Sequence, residues 1–394
     1  MAQIYRCAFC TISVNIPETP DNPLWTNCGY GGEEAEGWVV DTINTGSWKT
    51  VSDSPWMALL ESGPLGSRAW CLQERQLSPR VIHFLDPGMI MWECCSFIAA
   101  LGGPIIFGNL TRESKPDNQK RIIDMKSHSG SGHKHMWRAW SMCLSDYTSR
   151  SLTIETDRPV AIRGVVDQIK IVTKSEYIYG LWREDLNRGL LWERHASTGN
   201  CWTRAPVVNG EQAPTWSWLS ITGPVKDMAG NDEDDNPPFM EDTRARRPVF
   251  DHSYKSVLRL APTYGDCRMQ ILDGPILHAW LDYESQVIAE AGVPAEGRRV
   301  AVTHGVETSH DRVTAWACLD ITTESYHGPA TVLAVTRSYG LLLKRIGEVD
   351  GIDPSIGPVP KYQRLGTVRN PKGQEGEYSW RLAEDFHMWM AAIV

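Results

Sequence analysis

The chain has 394 residues, 42% of them hydrophobic, enough to build about two to three cored domains. Its net charge of −9 argues against nonspecific nucleic-acid binding. No early stretch sets a basic head before an apolar run, the apolar segments 97–107 and 388–394 are too short to span a bilayer, and ten cysteines follow no spaced framework. Together these predict a cytoplasmic protein with reduced thiols, no membrane association and no nucleic-acid partner.

Residues 1–14 read as a helix, or as a helix running into a strand. Residues 15–66, rich in Pro, Gly, Asn and Ser, read as a long connecting excursion. The first sharp pattern begins at Ser67. With Ala69 to Ser78 helical, Trp70, Gln73, Glu74 and Leu77 fall at i, i+3, i+4 and i+7 on one face. Trp70 and Leu77 want that face buried, so an amide and a carboxylate are carried inward with them. A buried carboxylate must be paired, hydrogen-bonded or protonated. Arg68, Arg75 and Arg80 are the candidate counter-charges. Glu74 then reads either as one arm of a structural ion pair or as a catalytic or ligand-binding group.

Pro79 ends the helix, because proline disfavours the helical conformation in the residue before it. Arg80–Leu85 and Met89–Cys94 read as two strands around a type II turn at Asp86-Pro87-Gly88. Glu93 re-emerges in the second strand beside Trp92. Residues 109–135 read as a polar linker ending in His128, His133 and His135. Three helical stripes follow: Met136/Trp137, Trp140, Cys143/Leu144 and Tyr147; then Ile162, Val165/Val166 and Ile169, opened by Thr156 or Asp157 as cap with Pro159 in the first turn; then Leu181/Trp182, Leu186 and Leu190.

From Pro214 onward short β-runs dominate, with Trp216 and Trp218 alternating onto one face of a strand and further strands around 258–260, 276–281 and 331–335. An acidic block and then a basic one within 227–247 read as a solvated loop. Cys7 and Cys10 form C-x-x-C in a stretch that reads as a buried helix, but no second ligand pair sits at zinc spacing. The glycine-spaced histidines read as adventitious metal binders. Gly29, Gly31 and Gly32 do not join a strand to a helix, and neither a phosphate loop nor a nucleophile elbow occurs. No metal site and no cofactor are expected.

Arg68, Trp70, Gln73, Glu74, Arg75, Leu77, Ser78 and Arg80 fill the pattern R-x-W-x-x-Q-E-R-x-L-S-x-R, and Trp92-Glu93-Cys94 follows as W-E-C. Met1, Ile4, Tyr5, Ala8, Thr11 and Ile12 form an earlier block. Leu152-Thr153, Asp157-Arg158, Ala161, Tyr179 to Trp182, Leu191-Trp192, Ala213 to Trp218 and Gly340 to Leu342 form later ones. In this order they resemble the fungal heterokaryon incompatibility (HET) domain and the region that usually follows it. The Y-x-x-L-S-Y-x-W-G and W-I-D-x-x-C-I-x-Q blocks that open such domains occur nowhere here, so the chain reads as lacking the front half of its domain. An exposed sheet edge and apolar surface are therefore expected.

The resemblance implies an α+β chain in three parts. Residues 1–108 would be the C-terminal part of a HET (TIR-like α/β) domain with its closing helix–hairpin. Residues 109–213 would be a linker and helical region, and 214–394 a β-rich antiparallel module. It implies fungal non-self recognition and incompatibility-triggered programmed cell death, with other incompatibility factors as protein partners. Some TIR domains cleave NAD with a glutamate, which makes Glu74 the catalytic candidate, supported by Arg68, Gln73 and Arg75. The remaining reading is an inactive, truncated chain serving only as an interaction module. Trp70, Leu77, Arg80, Trp92, Glu93, Trp216 and Trp218 are the motif's structural residues. Glu74 is expected to be buried and paired to an arginine across the helix–hairpin junction.

Overall fold

Burial alternates along Arg80–Leu85 (β2): Val81, His83 and Leu85 are buried, while Arg80, Ile82 and Phe84 are not. In the computed structural model this strand pairs antiparallel with Met89–Cys94 (β3), closing at Leu85 opposite Met89. The residues described are 2–16, 60–61, 63–85, 89–95, 97–100, 105–107, 132–195, 202–207, 212–227, 258–259, 270–281, 298–303, 312–321, 328–334, 339–349, 358–369 and 387–393. The expected turn at Asp86-Pro87-Gly88, Gly29 to Gly32, His128 and the 228–247 stretch lie outside them.

The chain is mixed α and β and divides into two compact units, Met1–Lys174 and Ser175–Val394. The first unit opens with the expected helix into strand, Ala2–Cys7 (α1) and Thr11–Asn15 (β1). No residue of α1 is buried, Cys7 is exposed and Cys10 is half-buried, which corrects the buried helix expected for that cysteine pair. β1 pairs parallel with β2, and Phe97–Ala100 (β4) and Ile105–Phe107 (β5) extend the sheet beyond β3, in the order β1-β2-β3-β4-β5.

After α1, the α-helices named among this unit's described residues are Ala69–Leu77 (α2), Gly132–Ser149 (α3), Arg158–Ala161 (α4) and Arg163–Thr173 (α5). α3 begins within the expected linker and buries the whole predicted stripe, Met136, Trp137, Trp140, Cys143, Leu144 and Tyr147. Pro159 stands in the first turn of α4 as expected, though Asp157 caps it without a side-chain bond. Ile162, at φ −99° and ψ −9°, separates α4 from α5, and it is buried with Val165, Val166 and Ile169.

α2 packs among α1, α3, α4 and α5. Its buried residues are therefore Ala69, Leu72, Gln73, Arg75, Gln76 and Leu77, more than one face of the helix. Trp70 and Glu74 lie at the margin, half-buried. The expected face at Trp70, Gln73, Glu74 and Leu77 is thus rotated by about one residue, since Ala69, Leu72, Gln73 and Gln76 occupy the same spacing. Gly164 lets α5 approach: a Cβ there would stand 2.7 Å from Gln73 Oε1 and 2.8 Å from Leu77 Cδ1.

In the second unit the expected third helical stripe is replaced by a hairpin, Tyr177–Ile178 (β6) with Leu181–Trp182 (β7). Tyr179 at φ 42° and Gly180 at φ 93° make the two consecutive positive angles of a tight hairpin turn, which no helix accommodates. A 3₁₀ turn at Arg183–Asp185 leads into the short helix Leu186–Gly189 (α6), and Leu190 is buried beyond it. Trp216 and Trp218 are both buried, but in a turn leading to the 3₁₀ segment Trp218–Ser220 rather than in a strand. Ser217 starts that segment by accepting a bond from the Leu219 amide at 3.0 Å.

Trp192–Arg194 (β8) pairs with Val225–Asp227 (β9). The strands that follow are Leu258–Arg259 (β10), Gln270–Leu281 (β11), Arg298–Thr303 (β12), Arg312–Leu319 (β13), Gly328–Ala334 (β14), Tyr339–Val349 (β15), Val359–Arg369 (β16) and His387–Ile393 (β17). The β-rich module is therefore present. Its pairings close on themselves, because β11 joins β12, β13, β16, β15 and β14 in turn and β14 returns to β11. Apart from the parallel β16–β17 contact these pairings are antiparallel.

Candidate functional site

The candidate site is the junction of α2 with the β2–β3 hairpin. Extended Ser78, at φ −74° and ψ 124°, ends α2, and its hydroxyl donates to the Glu74 carbonyl at 2.6 Å. The same hydroxyl meets Thr11 Oγ1 of β1 at 2.7 Å. At the other end the Ala69 amide donates to Ser151 O at 3.0 Å, and Gln73 Oε1 accepts from the Gly164 amide at 3.3 Å. α2 is thus tied to β1, to the chain after α3 and to α5.

Its strongest bond runs to the hairpin. Arg75 Nε and Nη2 donate to Glu93 Oε2 and Oε1 at 2.9 and 3.1 Å, a forked geometry in which both carboxylate oxygens are used. His83 Nε2 lies 2.9 Å from Glu93 Oε2, and because an ionised carboxylate only accepts, the imidazole is the donor. Glu93 is 0% exposed, and His83 and Arg75 are buried with it. Burial alone would lower the Arg75 guanidinium; Glu93 beside it, helped by Asp146 and Glu61, outweighs this and raises it. The cluster is closed to solvent, so its chemistry is to hold the helix on the sheet.

The arginine–glutamate pair expected across this junction is therefore present, but its carboxylate is Glu93 and not Glu74. Glu74 makes no ion pair among the described residues; its charge is felt by the Tyr5 phenol of α1. Burial, then the charge and hydrogen bond of Glu74, raise the Tyr5 phenol. Cys71 is raised as well, first by burial and then by Glu74, which makes its thiol a poor nucleophile. Arg68 is exposed at the start of α2. Arg80, also exposed, donates to the Phe9 carbonyl at 3.2 Å and lies 5.1 Å from the centre of its ring. Of the three candidate counter-charges only Arg75 is enclosed. Leu77 is buried beneath the helix and Trp92 is half-buried on the other side of the sheet. His83 was not among the residues expected here. No group of three or more metal-ligating side chains occurs among the described residues.

No family model, curated protein or solved structure matches this chain.

The second unit has a buried ion pair of its own. Arg364 on β16 donates from Nε to Asp320 Oδ2 at 2.9 Å and from Nη2 to Asp320 Oδ1 at 3.1 Å. Its remaining donors reach the Leu190 and Trp192 carbonyls, and its guanidinium lies 3.6 Å from the centre of the Trp192 ring. Buried tryptophans of the same unit are each hydrogen-bonded: Trp192 Nε1 donates to Trp216 O at 2.9 Å, Trp202 Nε1 to Pro224 O at 2.9 Å and Trp218 Nε1 to Gly180 O at 2.7 Å. Trp216 and Trp218 are anchors of this core. No helix among the described residues is long and apolar enough to cross a membrane.

Proposed function

We propose that the chain is a heterokaryon-incompatibility-type effector, acting in the cytoplasm in fungal non-self recognition, with a HET-like first unit and a β-rich second unit that meets protein partners. One observation carries the reading. Residues from separate blocks of the resemblance converge on α2 and its end: Thr11 from the first block bonds Ser78, and Glu93 of W-E-C pairs with Arg75; Gly164, outside the blocks, bonds Gln73 as well. A motif whose residues fasten distant stretches to one short helix is what a domain-closing element requires. The parallel β1–β2 pair, with helices gathered around α2, supports the TIR-like α/β character.

Expression of the full chain in a fungal host tests this. Growth arrest by the wild type, abolished by Arg75→Met and retained in Glu74→Gln, is the expected result. Absence of arrest by the wild type overturns the effector reading. The NAD-cleaving reading draws on Glu74 alone, the accessible carboxylate of the motif beside Tyr5. Nicotinamide release by the purified wild type, lost in Glu74→Gln, would establish it, and no release would end it.

A further inference from the structure

The open edge of the first sheet is a surface the effector reading does not use. β1 pairs with β2 on one side, and among the described strands none lies on the other. Exposed edges are usually blunted by charge, proline or a bulge. β1, Thr-Ile-Ser-Val-Asn, has no charge and no proline, and residues 7–16 carry no charged side chain. The second unit uses the usual devices: at the exposed end of β15 the register shifts between Arg345 and Gly347, and Arg345 pairs with Glu348.

Beside the bare edge lie apolar side chains. Ile12 is 67% exposed and Val14 38%, and Phe9 just before them is 82% exposed. Ile12 and Val14 share one sheet face with Ile82 and Phe84, their register partners on β2, both half-buried. The opposite face of β1 is committed inward, through Thr11 to Ser78 and Asn15 to Leu60, Leu65 and Gly66.

β1 is also complementary to itself. Laid antiparallel on a second β1 with Ser13 facing Ser13, Ile12 of one strand stands opposite Val14 of the other, twice over, on the same face. We propose that a second copy of this chain docks along β1 by antiparallel pairing centred on Ser13, which joins two five-stranded sheets into one. The two-fold closes, so the contact ends at a dimer. No charge on either strand meets its mate, and the four apolar side chains at the seam leave water together. A strand from a different protein has no such register imposed on it.

Sedimentation of the full chain over a wide concentration series tests the docking, with Ile12→Lys, Val14→Lys and Ser13→Cys beside the wild type. The wild type is expected to dimerise, and each lysine variant to weaken the dimer about tenfold or more by placing like charges at the seam. Because Ile12 and Val14 are exposed, both lysine variants should keep the wild-type thermal midpoint at concentrations low enough for the wild type to be monomeric. Opposed strand residues stand about 4.5–5.5 Å apart at Cα, within disulfide range, so Ser13→Cys should cross-link under mild oxidation beyond the wild-type background. A wild type that stays monomeric, a dimer unmoved by both lysines, or no extra cross-link at Ser13→Cys overturns the proposal.

Discussion

In the first unit the described sheet stops at β1, a neutral strand with Ile12 and Val14 in the open; in the second, the described strands close a circuit, since β14 returns to β11. Each unit also holds, among the described residues, an arginine–carboxylate pair with both partners buried, and again the surroundings differ. Glu93 has two donors, Arg75 and His83, so its charge is shared between a helix and the neighbouring strand. Asp320 takes both its forked bonds from Arg364, whose other donors are spent on backbone carbonyls and whose plane stacks on Trp192. The carbonyls of Leu190 and Trp192 lie outside the closed circuit, and Arg364 ties β16 to them. An open sheet needs its helix layer held on, and Arg75 does that.

Loss of Arg364 is expected to have the largest effect. Arg364→Met strands Asp320 in the interior and frees two carbonyls, at a cost of about 4–5 kcal/mol in urea unfolding followed by tryptophan fluorescence. Arg75→Met should cost about 3 kcal/mol, less because His83 still donates to Glu93. If the two variants cost the same, the second donor contributes nothing. Arg75→Met combined with Glu93→Leu should recover most of the loss, because no charge is then left unpaired.

A pH effect separates the units further. Tyr147 of the first unit is fully buried, its hydroxyl donates to the Arg158 carbonyl, and burial pushes its phenol well above its ordinary 10.0. The folded state therefore keeps the proton that the unfolded chain releases. Its contribution is whole below pH 10 and is lost as pH rises from there toward the folded value. Stability measured through alkaline pH should fall less steeply in Tyr147→Phe than in the wild type. An equal slope would show that Tyr147 ionises freely in the fold. The smallest effect is expected at Glu74→Gln: within about 0.5 kcal/mol of wild type in urea unfolding, since no ion pair is lost. A loss of several kcal/mol there would return Glu74 to the role that the structure gives Glu93.

Long periodic stretches were the most legible. The stripe from Met136 to Tyr147 and the one from Ile162 to Ile169 are buried residue for residue, because a single apolar face decides a helix whose partner is a core. The hairpin was legible too, and its register carries a further clue. Three residues at 86–88 set Leu85 opposite Met89, and counting back puts Glu93 opposite Val81 on the same face as His83. The count places Glu93 and His83 together, but Ile82, Phe84, Ile90 and Trp92 make the opposite face just as apolar, so the amino-acid sequence does not tell which face is buried. Glu74 misled because α2 is enclosed by four helices, so a margin residue was indistinguishable from a central one. Leu181 and Trp182 misled because their apolar spacing suits a helix, while the turn at Tyr179 and Gly180 is decided by local backbone sterics. Trp216 and Trp218 alternate in sequence, yet the capping hydroxyl of Ser217 tightens the chain into a 3₁₀ turn.

Asn15 ties together places far apart along the chain. Its carboxamide donates to the Leu60 carbonyl at 2.8 Å and accepts from the Leu65 amide at 2.8 Å, so the end of β1 is stapled to the segment that leads into α2. The carboxamide is buried, and each of its two ends is matched to a backbone group that would otherwise lack this partner. Asn15→Ala therefore loosens both places at once, the last residue of an edge strand and the approach to the helix that holds the sheet's inner face.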